Sequence, residues 1–150
     1  MQHIHCEVIT AERAVFSGDV SMVIAPGIEG QLGILPDHAP LITALTYGEL
    51  VLHRPGEGDE YIAIGGGFME VGADHVIILA DTAERAEEID EARAEAARNR
   101  AQELMARQMH EVEDVARAEA ALRRSAIRLK VARRRGRRSQ VPGSGETPRP

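Results

Sequence analysis

The sequence predicts an α+β protein, an N-terminal antiparallel β-sandwich followed by a C-terminal two-helix antiparallel hairpin. Three observations carry this. Up to residue 80, short β-branched or alternating segments recur at close spacing, bounded by Gly, Pro and Asp, with no helix-length segment between them. Residues 73–135 contain neither Gly nor Pro, whereas the part before them is dense in both. Residues 90–135 are rich in Ala, Glu, Arg, Leu and Met, the strongest helix formers. Charge divides in the same place. Residues 1–83 carry 12 acids and two bases, and residues 84–150 carry 12 acids and 16 bases, so −10 and +4 make up the net −6. Opposite signs point to two units with different neighbours. The expected boundaries are 1–84 for the sandwich, 85–135 for the hairpin, and 136–150 for a Gly-, Pro-, Ser- and Arg-rich tail too poor in apolar residues to order.

Strands are expected at 3–9, 20–25, 41–45, 49–53, 60–64, 68–71 and 76–80. Val20, Met22 and Ile24 should share a face, and residues 16–19, 47–48 and 55–59 should turn. Residues 27–40 are the most constrained stretch. Gly27, Gly30 and Gly33 recur every third position, and Pro36 and Pro40 bracket Asp37-His38. A phosphate cradle would need a helix at once, but prolines and an apolar run follow. The stretch therefore reads as a shaped sandwich corner or as a rigid tip offered to a partner. Three successive glycines, 65–67, suggest a bulged hairpin or a point where another backbone passes close.

Asp81 or Thr82 should cap the first helix, which would bury Ile89, Ala92, Ala96 and Ala97. Val115, Ala118, Leu122, Ala126 and Leu129 should form the seam of the second helix, with the bend at 108–113. Such an alanine-rich interface removes little apolar area, at about 25 cal/mol per Å2. Opening it should be easy, which predicts an arm with closed and extended states. The second helix ends in seven cations, Arg123, Arg124, Arg128, Lys130 and residues 133–135. That is more than the helix dipole calls for and suggests an acidic partner. Nucleic-acid binding by the basic run 123–138 is the alternative, against which stand the acidic first half and the near-absence of aromatic residues for stacking.

Other classes fare worse. One cysteine, Cys6, excludes an internal disulfide and fits a reducing compartment. No signal peptide is visible and no apolar run is long enough to cross a bilayer, so membrane association should go through a partner. His3 and His5 share a strand face, but Cys6 points away and no zinc spacing exists, so no metal is expected. His38 has no nucleophile or acid positioned beside it and should fix its loop. No Gly-x-Ser-x-Gly elbow or Cys–His arrangement is present, and no catalytic residue is assigned.

The glycine-rich stretch, together with Phe16-Ser17-Gly18, Gly65-Gly66-Gly67-Phe68-Met69-Glu70-Val71, Ala80-Asp81-Thr82-Ala83 and Ile89-Asp90-Glu91-Ala92-Arg93-Ala94, resembles the epsilon subunit of the bacterial F-type ATP synthase over residues 1–135. The resemblance implies a non-catalytic rotor subunit of the central stalk, peripheral on the cytoplasmic face of the plasma membrane. Its implied partners are the gamma subunit, the c-ring through Glu29, Gly30 and Gln31, and the catalytic alpha and beta subunits. Ile28 and Leu32 beside that tip fit inward packing equally well. The hairpin would restrain ATP hydrolysis through Arg123, Arg124, Arg128, Arg133 and Arg134. No cofactor is required, but the signature implies a regulatory ATP held by Glu84, Asp90, Arg93, Arg100, Arg124 and Arg128. Arg124 and Arg128 come into register after a small shift in the connecting turn. Helix-surface salt bridging, for instance of Asp90 with Arg93, explains the same residues without a ligand.

Overall fold

The computed structural model describes residues 2–107 and 111–135. Its strands are β1 (Ile4–Ile9), β2 (Ala14–Val20), β3 (Met22–Gly27), β4 (Gly30–Ile34), β5 (Leu41–His53), β6 (Glu60–Val71), β7 (His75–Ala80) and β8 (Ala83–Arg85). A short 3₁₀ turn, Ala86–Glu88, leads into α1 (Glu91–Ala106) and α2 (Val112–Ala132). The strands run in the order β2-β1-β7-β6-β5-β3-β4, with β8 beside β6. All pairs are antiparallel except β1 with β7. Between the layers sits an aliphatic core that includes Val8, Val23, Ile34, Leu50, Leu52, Ile62, Met69 and Ile78.

The two longest strands hold this arrangement together. β5 and β6 keep one register from Leu41↔Val71 to Leu52↔Glu60. The turn expected at Tyr47-Gly48 is absent, and the segments on either side of it form one strand. Gly48 allows this by close approach: a Cβ there would stand 2.4 Å from Pro26 Cβ. Gly65–Gly67 likewise joins nothing and bulges nothing, but lies inside β6 in unbroken register with β5. On its other edge β6 pairs with β7 and then, past Asp81-Thr82, with β8. The link stays bonded, because Asp81 N–H donates to Gly66 O at 3.1 Å and Gly65 N–H donates to Thr82 O at 3.0 Å. Close approach is therefore what these glycines serve. A Cβ on Gly67, where φ is +125°, would stand 2.1 Å from Leu79 O.

Three other local expectations differ. Residues 16–19 are strand, not turn, because β2 pairs along β1 from Val20 to Phe16. Val20, Met22 and Ile24 do not share a face, because the pleat restarts at Ser21, whose N–H bonds His53 O at 2.8 Å. Val23, Ala25 and Gly27 are the buried residues of β3. Asp81 and Thr82 are used up at the strand junction, so the cap is Asp90, which accepts from the Arg93 N–H at 3.1 Å.

The hairpin seam is rotated from the expected one on α1. Ala94 and Ala101 are buried, while Ala92 and Ala96 are exposed. On α2, Ala118, Ser125, Leu129 and Ala132 are buried, Val115 and Leu122 are half-buried, and Ala126 is exposed. Ser125 can take the inner position because its hydroxyl donates to Leu122 O at 2.9 Å. Of the expected bend at 108–113, residues 108–110 lie outside the described residues, as does the tail 136–150, and α2 already begins at Val112. A second, smaller apolar cluster joins the arm to the sheet: Ala63, Ala86, Ile89, Ala94, Leu129, Val131 and Ala132.

Gly67→Ala should cost about 2–4 kcal/mol, from positive φ and a backbone clash together. Gly30→Ala, at φ +132° with nothing within 4 Å, should cost about 1 kcal/mol. Equilibrium denaturant unfolding of both variants checks the difference.

Candidate functional site

Strand register builds the surface on which the arm lies. Glu49 pairs with Ala63, and Ala63 pairs with Glu84, so the three form a row across β5, β6 and β8. Ala63 is small, and Leu129, Val131 and Ala132 of α2 cluster with it. The flanking carboxylates reach up to α2. Arg128 Nη2 donates to Glu84 Oε2 at 3.0 Å. Arg134 Nε and Nη2 donate to Glu49 Oε2 and Oε1 at 3.1 and 3.0 Å. The spacings agree: six residues of helix rise about 9 Å, and two strand spacings span about 9.5 Å. The helix therefore runs across the strands, with one ion pair on either side of an alanine.

The adjacent row on the same face pairs Tyr47 with Gly65. A cleft of about 440 Å3 opens there between sheet and arm. Its floor includes Tyr47, Ile64, Gly65 and Thr82, and its walls include Glu84, Arg93, Ala97, Arg124, Ser125 and Arg128. A Cβ on Gly65 would stand 2.2 Å from Thr82 Oγ1 and 2.9 Å from Tyr47 Cε1, so only glycine keeps this floor flat. The Arg124 guanidinium lies 5.7 Å from the Tyr47 ring centroid. Three arginines face one glutamate across a partly apolar hollow, a chemistry suited to holding an anion with a flat apolar portion. No group of three or more metal-ligating side chains occurs among the described residues.

Of the residues singled out in the sequence for nucleotide, Glu84, Arg93, Arg124 and Arg128 line this cleft together. Asp90 and Arg100 do not line it, and Asp90 is the helix cap. The cap is also why Asp90 and Arg93 do not form the salt bridge considered above: the bond is to the Arg93 backbone. Tyr47, Gly65 and Thr82 were missed, because they read as a turn, a bulge and a cap. Recognising 41–53 as one strand would have placed Tyr47 opposite Gly65.

Most of the basic end of α2 is engaged within the chain. Besides the pairs above, Lys130 Nζ stands 3.9 Å from Glu49 Oε1, and Arg133 Nε 3.4 Å from Glu91 Oε1. Arg135 Nη2 donates to Ile89 O at 2.9 Å. Arg123 is exposed and forms no ion pair among the described residues. Glu29, Gly30 and Gln31 are exposed at the β3–β4 tip. Leu32 packs against the core, but Ile28 is 62% exposed, since it sits where the hairpin reverses.

The hinge carries its own pair. Arg13 Nη1 and Nη2 donate to both Glu88 oxygens at 2.8 and 2.6 Å. That hydrogen bonding, helped by the Arg85 N–H and the nearby guanidinium charges, holds the Glu88 carboxyl below its ordinary range. Behind it, Arg85 Nε donates at 2.7 Å to the buried Glu60. Burial pushes the Cys6 thiol up to about 12, so it is protonated and unreactive at neutral pH.

Residues 3–86 match the family model for the β-sandwich domain of the ATP synthase delta/epsilon chain. Residues 87–133 match that for its long α-helix domain. The chain belongs to this family of ATP synthase subunits. Within it, the chain is similar to bacterial epsilon chains. The ATP synthase epsilon chain of Herpetosiphon aurantiacus is 56% identical over 135 residues, covering 90% of this chain and 98% of the relative. That of Moorella thermoacetica is 53% identical over 132 residues, covering 88% and 98%. Among solved structures, a chain of the Euglena gracilis mitochondrial ATP synthase shares the fold with a TM-score of 0.76 at 23% identity, covering 88% of this chain and 82% of that one.

Glu88→Gln should lower stability at neutral pH by under about 1 kcal/mol, because the pair is partly solvated. A lowered folded-state pKa gives stability above the ordinary carboxylate range that is lost as pH falls through the lowered value. Thermal melts of the two proteins should therefore differ at pH 7 and converge in acid.

Proposed function

We propose that this chain is a non-catalytic central-stalk subunit of a rotary ATP synthase, whose sandwich is the docked, stiff part and whose hairpin is a regulatory arm. The observation that carries this reading is the division of the molecule into an aliphatic sandwich core and an arm held by a small alanine-centred patch and ion pairs. Family membership supports it. So does the Euglena gracilis neighbour, which is part of an assembly of OSCP, F1 and c-ring.

The sandwich offers two surfaces for assembly. Phe68 pairs with Ala44 on one side and Leu79 on the other, and Phe68, Leu79 and Ile42 are exposed on the sheet. An apolar sheet face of this kind suits permanent docking, and gamma is the partner proposed for it. The charged tip Glu29-Gly30-Gln31 is proposed to meet the c-ring. No helix of the described residues is long and apolar enough to cross a membrane, so attachment at the cytoplasmic face would go through these partners.

Regulation would reside in the arm. Released from the sheet, Arg123, Arg124, Arg128, Arg133 and Arg134 would be free to meet acidic surfaces of the alpha and beta subunits and hinder hydrolysis. ATP in the cleft would hold the arm down, its phosphates against Arg93, Arg124 and Arg128 in place of the Glu84 pairing. The nucleic-acid alternative is not favoured, because the family match spans residues 3–133, the basic end of α2 included.

Two experiments test this. Removing residues 90–150 keeps β8, the Arg85–Glu60 bond and the Arg13–Glu88 pair. Added to a reconstituted catalytic head, the truncated chain should leave hydrolysis several-fold faster than the full chain does, and equal rates would contradict the regulatory role. Calorimetric titration of the isolated chain with ATP should show binding that is weakened at least tenfold by Arg124→Ala. Absence of heat at millimolar ATP would remove the nucleotide site.

A further inference from the structure

We propose that Glu49 is the catch of the arm and the internal substitute for an acidic partner. While it holds Arg134 and Lys130 the basic end of α2 is masked, so letting go of the sheet and exposing a carboxylate-binding surface are one event. The inference rests on the mobile-arm reading above and names the residue that governs it.

The pairs that hold the basic end are not equivalent. Arg133 and Glu91 are 56% and 47% exposed, a solvated pair of the kind that contributes little. Arg128 and Glu84, at 29% and 37%, also wall the open cleft, where a ligand can take over either member. Glu49 is different. Its side chain is only 8% exposed, and a carboxylate that deeply placed must be paired.

Both of its oxygens are taken by the Arg134 fork, and Lys130 stands beyond. Bidentate geometry of this kind is the strongest ion pairing available to the two groups. The Arg134 guanidinium is further seated 5.0 Å from the Tyr61 ring centroid. Donating these hydrogen bonds to Glu49 also holds the Arg134 charge more firmly than usual.

Placement gives the pair its leverage. Glu49 is on the outer face of β5, next to Leu50 of the core but not part of it. Arg134 lies just past the end of α2. Breaking the contact loosens the last turn of α2, beside the joint where Arg135 bonds Ile89 O, without opening the sandwich. An external carboxylate surface would need the same fork and the same ammonium, so the two occupants exclude each other. Whatever weakens Glu49 must then strengthen the external contact by linkage.

The test uses the full chain with spin labels at A73C and A126C, both exposed positions, read by pulsed electron resonance. Poly-L-glutamate serves as the acidic probe. Glu49→Gln should populate a longer distance and raise probe affinity about tenfold, the scale of one charge-assisted bond. Arg134→Gln should lengthen the distance equally but give no gain in affinity. The double variant should open no further than either single one. Glu57→Gln, an exposed site with the same charge change, should alter neither reading.

An unchanged distance and affinity in Glu49→Gln, with opening in the triple variant E49Q/E84Q/E91Q, would overturn the catch and leave the mobile arm standing. A triple variant that stays closed would overturn both.

Discussion

One cross-strand row organises this molecule. Glu49, Ala63 and Glu84 stand side by side because β5, β6 and β8 share an unbroken register. The row sets where α2 lies, how closely it approaches, and which of its cations are neutralised. The neighbouring Tyr47–Gly65 row lines the cleft. The register depends in turn on glycines that leave room for the Pro26 ring at 48, for the Thr82 and Tyr47 side chains at 65, and for the Leu79 backbone at 67. Local backbone permissiveness in the sheet is thus translated, through side-chain placement, into the attachment of a separate unit.

The contrast between the two apolar clusters is what suits the chain to a mechanical role. The sandwich core is filled by Ile, Leu, Val and Met drawn from both layers. Under the arm there is a patch of alanines with a few larger residues, framed by charges. Large aliphatic burial resists deformation, whereas a small patch with charged edges can be exchanged for another surface of similar chemistry. A stalk subunit would need both properties at once.

The two-part architecture was legible in the sequence, because Gly and Pro density, charge sign and helix propensity all change between residues 73 and 90. Cleft residues on the helices were legible too, since Arg124 and Arg128 share a face by spacing alone. Faces were less legible. Ala92 and Ala96 are as apolar as Ala94, and a helix built of alanines carries almost no periodic signal to say which side is buried. Ser125 takes an inner place that a polar residue is not expected to take, by satisfying its hydroxyl on the preceding turn. The long strands were missed because Tyr47-Gly48 and Gly65–Gly67 carry turn composition. Their glycines answer to contacts from Pro26, Thr82 and Leu79, which are remote in sequence.

Native-state hydrogen exchange on the isolated chain tests the central claim most directly. Amides of α1 and α2 should open together, as a unit, at a free energy well below that of the amides of β5 and β6, whose exchange should require global unfolding. Helix and sheet amides exchanging only in a single global event would mean that the arm and sandwich form one cooperative body, and the account would fail.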